Sequence, residues 1–336
     1  MDTKGFMPMT TPTTTRAVIV PRYTDGFAHL TLEDRAIAPL NAGEVLVKIA
    51  ASPLNPSDLW FVQGHYGFRK PTPCIPGFEG SGTILAVGDG VPEARIGQRV
   101  AFFSADEDGA WMEYARLHAA VCFPVPASVT DEQASMMLVN PLTAWALLET
   151  SADSPAIIQT AAASALGQMI TRLCLERALP AIHIVRRDEQ AATLRALGAE
   201  HILNSADAGF DHDLKTLART LNARVCLDAV GGGLGTKILH LMPSRSRLIV
   251  YGGLDGGDVS VPIGELIFRD KHIEGFWLSH WLRDVGATGR AWAAVCADIG
   301  NTYKSEVRAR YPLEAIQDAI ADYSAHMSGG KVLVIP

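Results

Sequence analysis

The chain is poor in cysteine. Its 336 residues include only Cys74, Cys122, Cys174, Cys226 and Cys296, and no two of them form a C-x-x-C pair. Structural zinc sites draw on closely spaced ligands, so this scatter argues against one. An odd, unpatterned set fits reduced thiols in a cytosol. Long hydrophobic runs are also missing. No stretch approaches the ~20 apolar residues that a membrane-spanning helix needs. The most apolar region, 136–169, is broken by Asn140, Pro141, Glu149, Asp153 and Pro155, and reads as buried core. Positive charge is in deficit: 29 Lys and Arg face 36 Asp and Glu, a net charge of −7. The field of such a chain does not favour nucleic acid. The N-terminus lacks the apolar core of a secretory signal and the arginines of a transit peptide. Rich in Thr and Pro, residues 1–16 are expected to be a disordered tail on an unprocessed cytoplasmic protein. No internal repeat is visible.

What is present describes a packed protein of two domains. Hydrophobic residues make up 48% and charged ones 19%, and the length allows two cores. In the first third, short β-branched or alternating runs at 17–21, 44–51, 80–87, 99–103 and 111–116 are punctuated by Gly and Pro. That pattern predicts a small irregular barrel with long loops. Thr130 with Gln133 has the form of a capping box, and helical spacing follows. From 156 onward, strands at 156–159, 181–185, 201–203, 225–227 and 247–251 alternate with helices at 164–179 and 188–197. Alternation at this pitch predicts an α/β fold with a parallel doubly wound sheet. A helix near 313–323 and a strand at 331–336 close the chain.

In such a sheet, ligands bind beyond the carboxyl ends of the strands. The first turn there, Gln159 to Gly167, is not a G-x-G-x-x-G fingerprint, but small residues fill it. Backbone N–H groups of Ser164, Ala165, Leu166 and Gly167, with the Ser164 hydroxyl, suit a pyrophosphate; an ordinary helix start is the alternative. After the second strand come Arg186 and Arg187, where a carboxylate would select NAD. Guanidinium groups suit a 2′-phosphate, so NADPH is the expected cofactor, against a simple solvated pair. Gly231-Gly232-Gly233, Tyr251-Gly252-Gly253 and Gly329-Gly330-Lys331 also sit at strand ends. The Lys331 ammonium is expected to reach a phosphate or ribose.

One further stretch carries chemistry. Asn55-Pro56-Ser57-Asp58 precedes Gln63-Gly64-His65-Tyr66-Gly67-Phe68, which sets a phenol in a glycine-flanked loop. A phenol that gives a proton, beside a cofactor that gives a hydride, is the minimum for reducing a polarised double bond. A tyrosine that merely covers a pocket mouth is the alternative.

Taken together, these motifs resemble the medium-chain dehydrogenase/reductase superfamily over essentially the whole chain after residue 16. The 2-enoyl thioester reductase branch is the nearest. The resemblance implies a Rossmann domain at 133–278 inserted between two parts, 17–132 and 279–336, of a GroES-like barrel domain. It implies that Tyr66 is the catalytic tyrosine, and that Asn140-Pro141-Leu142-Thr143-Ala144 flanks the nicotinamide through Asn140 and Thr143. Ile267-Phe268-Arg269-Asp270 and Gly275-Phe276-Trp277-Leu278-Ser279-His280-Trp281 look like the segment that touches the nicotinamide and lines an acyl pocket, with Phe276, Trp277 and Trp281 on its wall. Asn55 and Thr143 would hold substrate or the nicotinamide amide, or cap turns. Arg69 and Lys70 would steer an anionic carrier, or form a solvated basic turn.

Two departures stand out. Gly77-Phe78-Glu79 puts a phenyl ring where zinc alcohol dehydrogenases carry a histidine, so no metal is expected. Ala163 stands where the branch carries Asn in its phosphate turn. The implied activity is NADPH-dependent reduction of a 2-enoyl thioester, small or carrier-bound. A quinone or enone reductase, and a non-catalytic NADPH-binding regulatory protein, are the alternatives. Neither nucleic acid nor membrane is expected as a partner. A homodimer is, through an edge strand at 271–276.

Overall fold

A computed structural model describes residues 11–105 and 108–336. In chain order its elements are β1 (Thr14–Ile19), β2 (Thr31–Ala36), β3 (Glu44–Pro53), α1 (Pro56–Gln63), β4 (Glu79–Val87), β5 (Arg99–Phe103), β6 (Tyr114–His118), β7 (Cys122–Pro124), α2 (Asp131–Ser135), α3 (Val139–Thr150), β8 (Ala156–Gln159), α4 (Ala165–Glu176), β9 (Ala181–Val185), α5 (Asp188–Ala196), β10 (His201–Asn204), α6 (Phe210–Thr220), β11 (Ala223–Asp228), α7 (Gly232–Leu241), β12 (Arg247–Val250), α8 (Ile263–Ile267), β13 (His272–Gly275), α9 (Leu278–Trp281), α10 (Val285–Asp298), β14 (Val307–Pro312), α11 (Ile316–Ala325) and β15 (Lys331–Ile335). They fall into two compact units. One comprises the described residues up to Leu138 with Val307–His326 and Lys331–Pro336; the other is Val139–Glu306 with Met327–Gly330.

The first unit is the expected irregular β structure. Seven strands pair in the order β14-β15-β3-β4-β5-β7, with β6 added to β3, and β1 and β2 form a separate antiparallel ribbon. Alternation along β1 and β3 buries Ala17, Ile19, Val45, Val47 and Ile49 against Phe102 and Leu117. A second cluster gathers Phe61, Phe78, Trp111, Ile316, Ile320 and Val332. The strand expected at 111–116 is shifted: Trp111 is fully buried, and the N–H groups of Ala110 and Trp111 bond Gly77 and Pro76 instead of a ladder. Residues 1–10 of the expected tail lie outside the described residues, and Thr14–Arg16 are corrected from tail to strand. Thr14, Thr15 and Arg16 pair in antiparallel register with Ala36, Arg35 and Asp34 of β2.

The second unit carries a six-stranded, wholly parallel sheet in the order β10-β9-β8-β11-β12-β13. All of β8 and β9 is buried, as expected of parallel strands covered on both faces. The order reverses between β8 and β11, the switch point where such sheets bind ligands. Residues 279–306, expected with the barrel, belong to this unit, where α10 packs on α3. No helix among the described residues is long and apolar enough to cross a membrane.

Candidate active site

In the first unit, the stretch read as a loop before Tyr66 is a helix, α1. Asn55 is its N-cap and Pro56 its first residue, where a missing N–H costs nothing. The helix ends at Gly64, whose φ of 77° is left-handed, and the N–H groups of Gly64 and His65 close back on Phe61 and Trp60. Glycine takes that conformation without a Cβ clash. Tyr66 therefore leaves the helix on a fixed bearing. Its ring lies 4.8 Å from Phe78 and 5.2 Å from Phe68, inside a cluster that adds Phe61 and Phe103. Phe78, the residue standing where zinc enzymes place histidine, is thus the floor under the phenol. Among the described residues, no group of three or more His, Cys, Asp or Glu is placed to hold a metal ion.

Arg69 and Lys70 are built into the same loop. Arg69 donates from Nε and Nη2 to the Gly64 carbonyl, at 3.0 and 2.7 Å, and stacks on Tyr23. The Tyr23 hydroxyl accepts from the Lys70 N–H and donates to the Lys70 carbonyl, at 2.8 and 2.9 Å. Burial, with Cys74 beside it, pushes the Tyr23 phenol well above its ordinary range.

Beneath the loop lies a buried polar network that the sequence did not announce. Asn55 Nδ2 donates to Glu79 Oε1 at 2.9 Å, and Lys331 Nζ donates to Asn55 Oδ1. Asp58 accepts from the Asn55 and Phe78 N–H groups at 2.8 and 2.9 Å. All four side chains are buried. Burial, with Glu79 nearby, pushes the Asp58 carboxyl up to about 7, against its two N–H donors and Lys331. Burial also lowers the Lys331 ammonium, which Glu79 and Asp58 oppose. The Lys331 ammonium, with three donors, gives one bond to Asn55 and one of 3.5 Å to the Leu54 carbonyl, and the Asn55 amide has a second N–H beyond the one it gives Glu79. The expected phosphate or ribose contact of Lys331 and substrate contact of Asn55 stand as proposals.

In the second unit, Ser164 caps α4 by accepting the Gly167 N–H at 3.1 Å, so its oxygen is partly spent on the helix start. A Cβ on Gly167 would meet the Ala162 carbonyl oxygen at 2.4 Å; only glycine brings helix and strand this close. The turn is held from below. Gln159 Nε2 shares its two hydrogens among the Gly167 carbonyl, Thr171 Oγ1 and the Nδ1 of His183, at 3.2, 3.0 and 2.7 Å. The next strand ends, β11 and β12, bring Asp228 and Tyr251 together. Asp228 Oδ1 accepts from Thr160 Oγ1 and the Val230 N–H, at 2.7 and 2.9 Å. The Tyr251 hydroxyl is buried without a hydrogen-bond partner among the described residues, and burial beside Asp228 raises it well above the phenol range. Gly252 and Gly253 follow it. At the end of β9, Arg186 and Arg187 are exposed. Asn140 and Thr143 lie near the start of α3, with Thr143 buried.

The unusual run after β13 forms a cavity. Thr150, Gly275, Phe276, Trp277, His280 and Trp281 line a space of about 350 Å³. Trp277 is the N-cap of α9, so one helical turn brings His280 under it, with ring centroids 4.5 Å apart. Gly275, His280 and Thr150 are the lining residues that sequence reasoning left without a role. His280 sat inside a quoted motif; nothing in the sequence pointed to Thr150, 125 residues before Gly275.

The comparisons with known proteins follow this division. Residues 41–127 match the alcohol dehydrogenase GroES-like domain family, and 165–291 the zinc-binding dehydrogenase family. The mitochondrial enoyl-[acyl-carrier-protein] reductase of Bos taurus is 30% identical over 289 residues, 83% of this chain and 77% of its own. The Homo sapiens protein of that name is 30% identical over 81% of this chain and 75% of its own. A solved structure from Mesorhizobium loti, described as a candidate NADPH:quinone reductase, is 36% identical, with TM-score 0.88 over 98% of this chain and all of the other. Barrel strands, a parallel sheet with its switch point between β8 and β11, the two family matches, and relatives 30% identical over 83% and 81% of the chain place it in the medium-chain dehydrogenase/reductase superfamily, on its enoyl thioester reductase branch.

Proposed function

We propose that the chain uses NADPH to reduce the carbon–carbon double bond of a 2-enoyl thioester, with hydride to the β-carbon and Tyr66 as proton donor or enolate stabiliser. The first unit is the catalytic half in this reading, and the second holds the cofactor. The observation that carries it is the phenol of Tyr66 seated on Phe78 at the end of a capped helix: a proton donor stands in an aromatic nest where zinc enzymes place a metal ligand. The bovine and human relatives are enoyl-[acyl-carrier-protein] reductases by name, which supports the substrate class.

The second unit has the donor set for NADPH. The start of α4, from Ser164 to Gly167, suits the pyrophosphate chiefly through the N–H groups of Ala165 and Leu166, since those of Ser164 and Gly167 are given to the Ala161 carbonyl and the Ser164 hydroxyl oxygen. Arg186 and Arg187 suit the 2′-phosphate, and the orphaned, buried Tyr251 hydroxyl awaits a partner at a strand end, beside Gly252 and Gly253. Bound there, NADPH would supply the hydride. Asn140 and Thr143, with Phe276 and Trp277, are the residues we assign to the nicotinamide side.

On the protein side, a donor aimed at the thioester oxygen stabilises the charge that hydride addition pushes onto it, an effect of roughly 3–4 kcal/mol for one oxyanion donor. Tyr66 fills that role in this reading, or delivers the proton to the α-carbon. Trp277 and Trp281, around the cavity of about 350 Å³, suit an apolar acyl chain. The Mesorhizobium loti likeness favours a second reading, a quinone or enone reductase. We further infer a homodimer through β13, and a cytoplasmic location for an enzyme with five free thiols. Because the bovine and human relatives are named mitochondrial, cell fractionation is the check on location.

The test is NADPH oxidation with crotonyl-CoA, trans-2-decenoyl-CoA and a simple quinone, for wild type and Tyr66→Phe. Enoyl turnover that drops about ten-fold or more in the variant is the expected result. Quinone turnover indifferent to the variant, with no enoyl activity, selects the second reading. Cofactor binding with no turnover on any acceptor selects a non-catalytic protein.

A further inference from the structure

The tetrapeptide Met327–Gly330 belongs to the second unit, although α11 before it and β15 after it belong to the first. What holds it there is Ser328. Arg187 Nη2 donates to Ser328 Oγ at 3.1 Å, and Gln190 Nε2 donates to the same oxygen at 3.3 Å. Gln190 Oε1 in turn accepts the Arg186 N–H at 3.2 Å. A serine hydroxyl has two acceptor positions and one proton. Both acceptor positions are filled from the protein, so the proton is left to be donated outward.

Its surroundings define what would accept that proton. The Arg186 guanidinium, next along the chain, has no hydrogen-bond or ion-pair partner among the described residues. Arg187 offers its remaining N–H groups from the N-cap position of α5. The nearest carboxylate in sequence, Asp188, accepts from Asn204 Nδ2 at 3.0 Å. Two guanidinium groups and one hydroxyl proton, with that carboxylate engaged by an amide, form a site for a compact dianion at the ribose end of the second strand.

We propose that Ser328 is a third ligand of the cofactor's 2′-phosphate, donating to a phosphate oxygen while its own oxygen anchors Arg187, and so helps select NADPH over NADH. The inference rests on the NADPH reading above and adds to it a residue 141 positions away from Arg187.

The experiment is calorimetric titration with 2′,5′-ADP and 5′-AMP, then with NADPH and NADH, for wild type, Ser328→Ala, Ser328→Thr, Arg187→Ala, and Arg187→Ala with Ser328→Ala. Ser328→Ala is expected to weaken 2′,5′-ADP and NADPH about ten-fold, the size of one hydrogen bond to a charged group, and to leave 5′-AMP and NADH within two-fold. Ser328→Thr, which keeps the hydroxyl, restores the affinity. In the Arg187→Ala background the loss on Ser328→Ala persists, because the serine donates on its own account. A loss that disappears in that background, or that falls equally on 5′-AMP, reduces Ser328 to a loop staple and overturns the proposal. If Arg186→Ala with Arg187→Ala leaves the NADPH-to-NADH preference unchanged, the NADPH reading itself fails, and this inference with it.

Discussion

Arg69 closes the loop that carries Tyr66 by giving two hydrogen bonds, 3.0 and 2.7 Å long, to the single carbonyl oxygen of Gly64. The bonds span the residues on either side of the phenol, and the guanidinium stacks on Tyr23. The sequence suggested that this cation meets an anionic carrier. The geometry gives it a second task, holding the loop shut, and a planar two-pronged donor does this where an ammonium does not.

Arg69→Ala should therefore lower kcat about ten-fold, since small misplacements of a reacting group are costly. The loss should be the same for crotonyl-CoA and for a carrier-free crotonyl thioester, and Arg69→Lys should not restore it. Steady-state kinetics on both substrates decides the matter. A rise in KM confined to crotonyl-CoA, reversed by Arg69→Lys and erased by salt, would return Arg69 to carrier steering.

How much of this was legible follows from the range of the interactions. The parallel sheet was, because buried strands and amphipathic helices alternate locally; α4 and α5 fall within three residues of where spacing put them. The Thr130–Gln133 capping box was, because its two partners are three residues apart. The buried network was not. Lys331 stands before a run of Val, Leu and Ile and reads as the exposed start of a strand; its partner Asn55 is 276 residues away. Ser328 was invisible for the same reason: one serine before two glycines is ordinary turn chemistry until Arg187 is found beside it. α1 was missed because Asn55-Pro56 reads as a turn as readily as a helix start.

The second prediction concerns His183, buried under the turn between β8 and α4. Burial, with His201 nearby, lowers its pKa from 6.5 to about 4, and its Nδ1 lies 2.7 Å from Gln159 Nε2. A neutral ring accepts that bond; a protonated one cannot. Between pH 6.5 and 4 the unfolded chain binds a proton that the folded chain refuses. The stability tied to a neutral His183 is thus fully present above pH 6.5 and is lost as pH falls through about 4, with a slope of at most ~1.4 kcal/mol per pH unit. Urea unfolding at several pH values across this window should show a shallower slope for His183→Leu than for wild type. Parallel slopes would mean that His183 titrates as it does in the unfolded chain.

The third prediction concerns the open side of β13. This strand ends the six-stranded sheet, and no strand among the described residues pairs with its outer edge. The His272 and Phe276 N–H groups bond Ser246 and Val250 on the β12 side, so the two-residue alternation of a strand turns those of Ile273 and Gly275 outward. Beside this edge, Phe268 is 85% exposed and Ile267 65%, an apolar surface that an isolated chain would leave in water. A second copy running antiparallel would pair the same edge with itself and cover the same residues, as a two-fold interface requires. Light scattering at micromolar concentration should give about twice the 36.0 kDa of the chain. Ile273→Pro removes one outward N–H and leaves the β12 ladder whole, because proline is tolerated on edge strands. It should yield a folded monomer that still binds NADPH. A wild-type monomer, or a variant dimer of undiminished affinity, would move the interface elsewhere and leave Phe268 and Ile267 to some other partner.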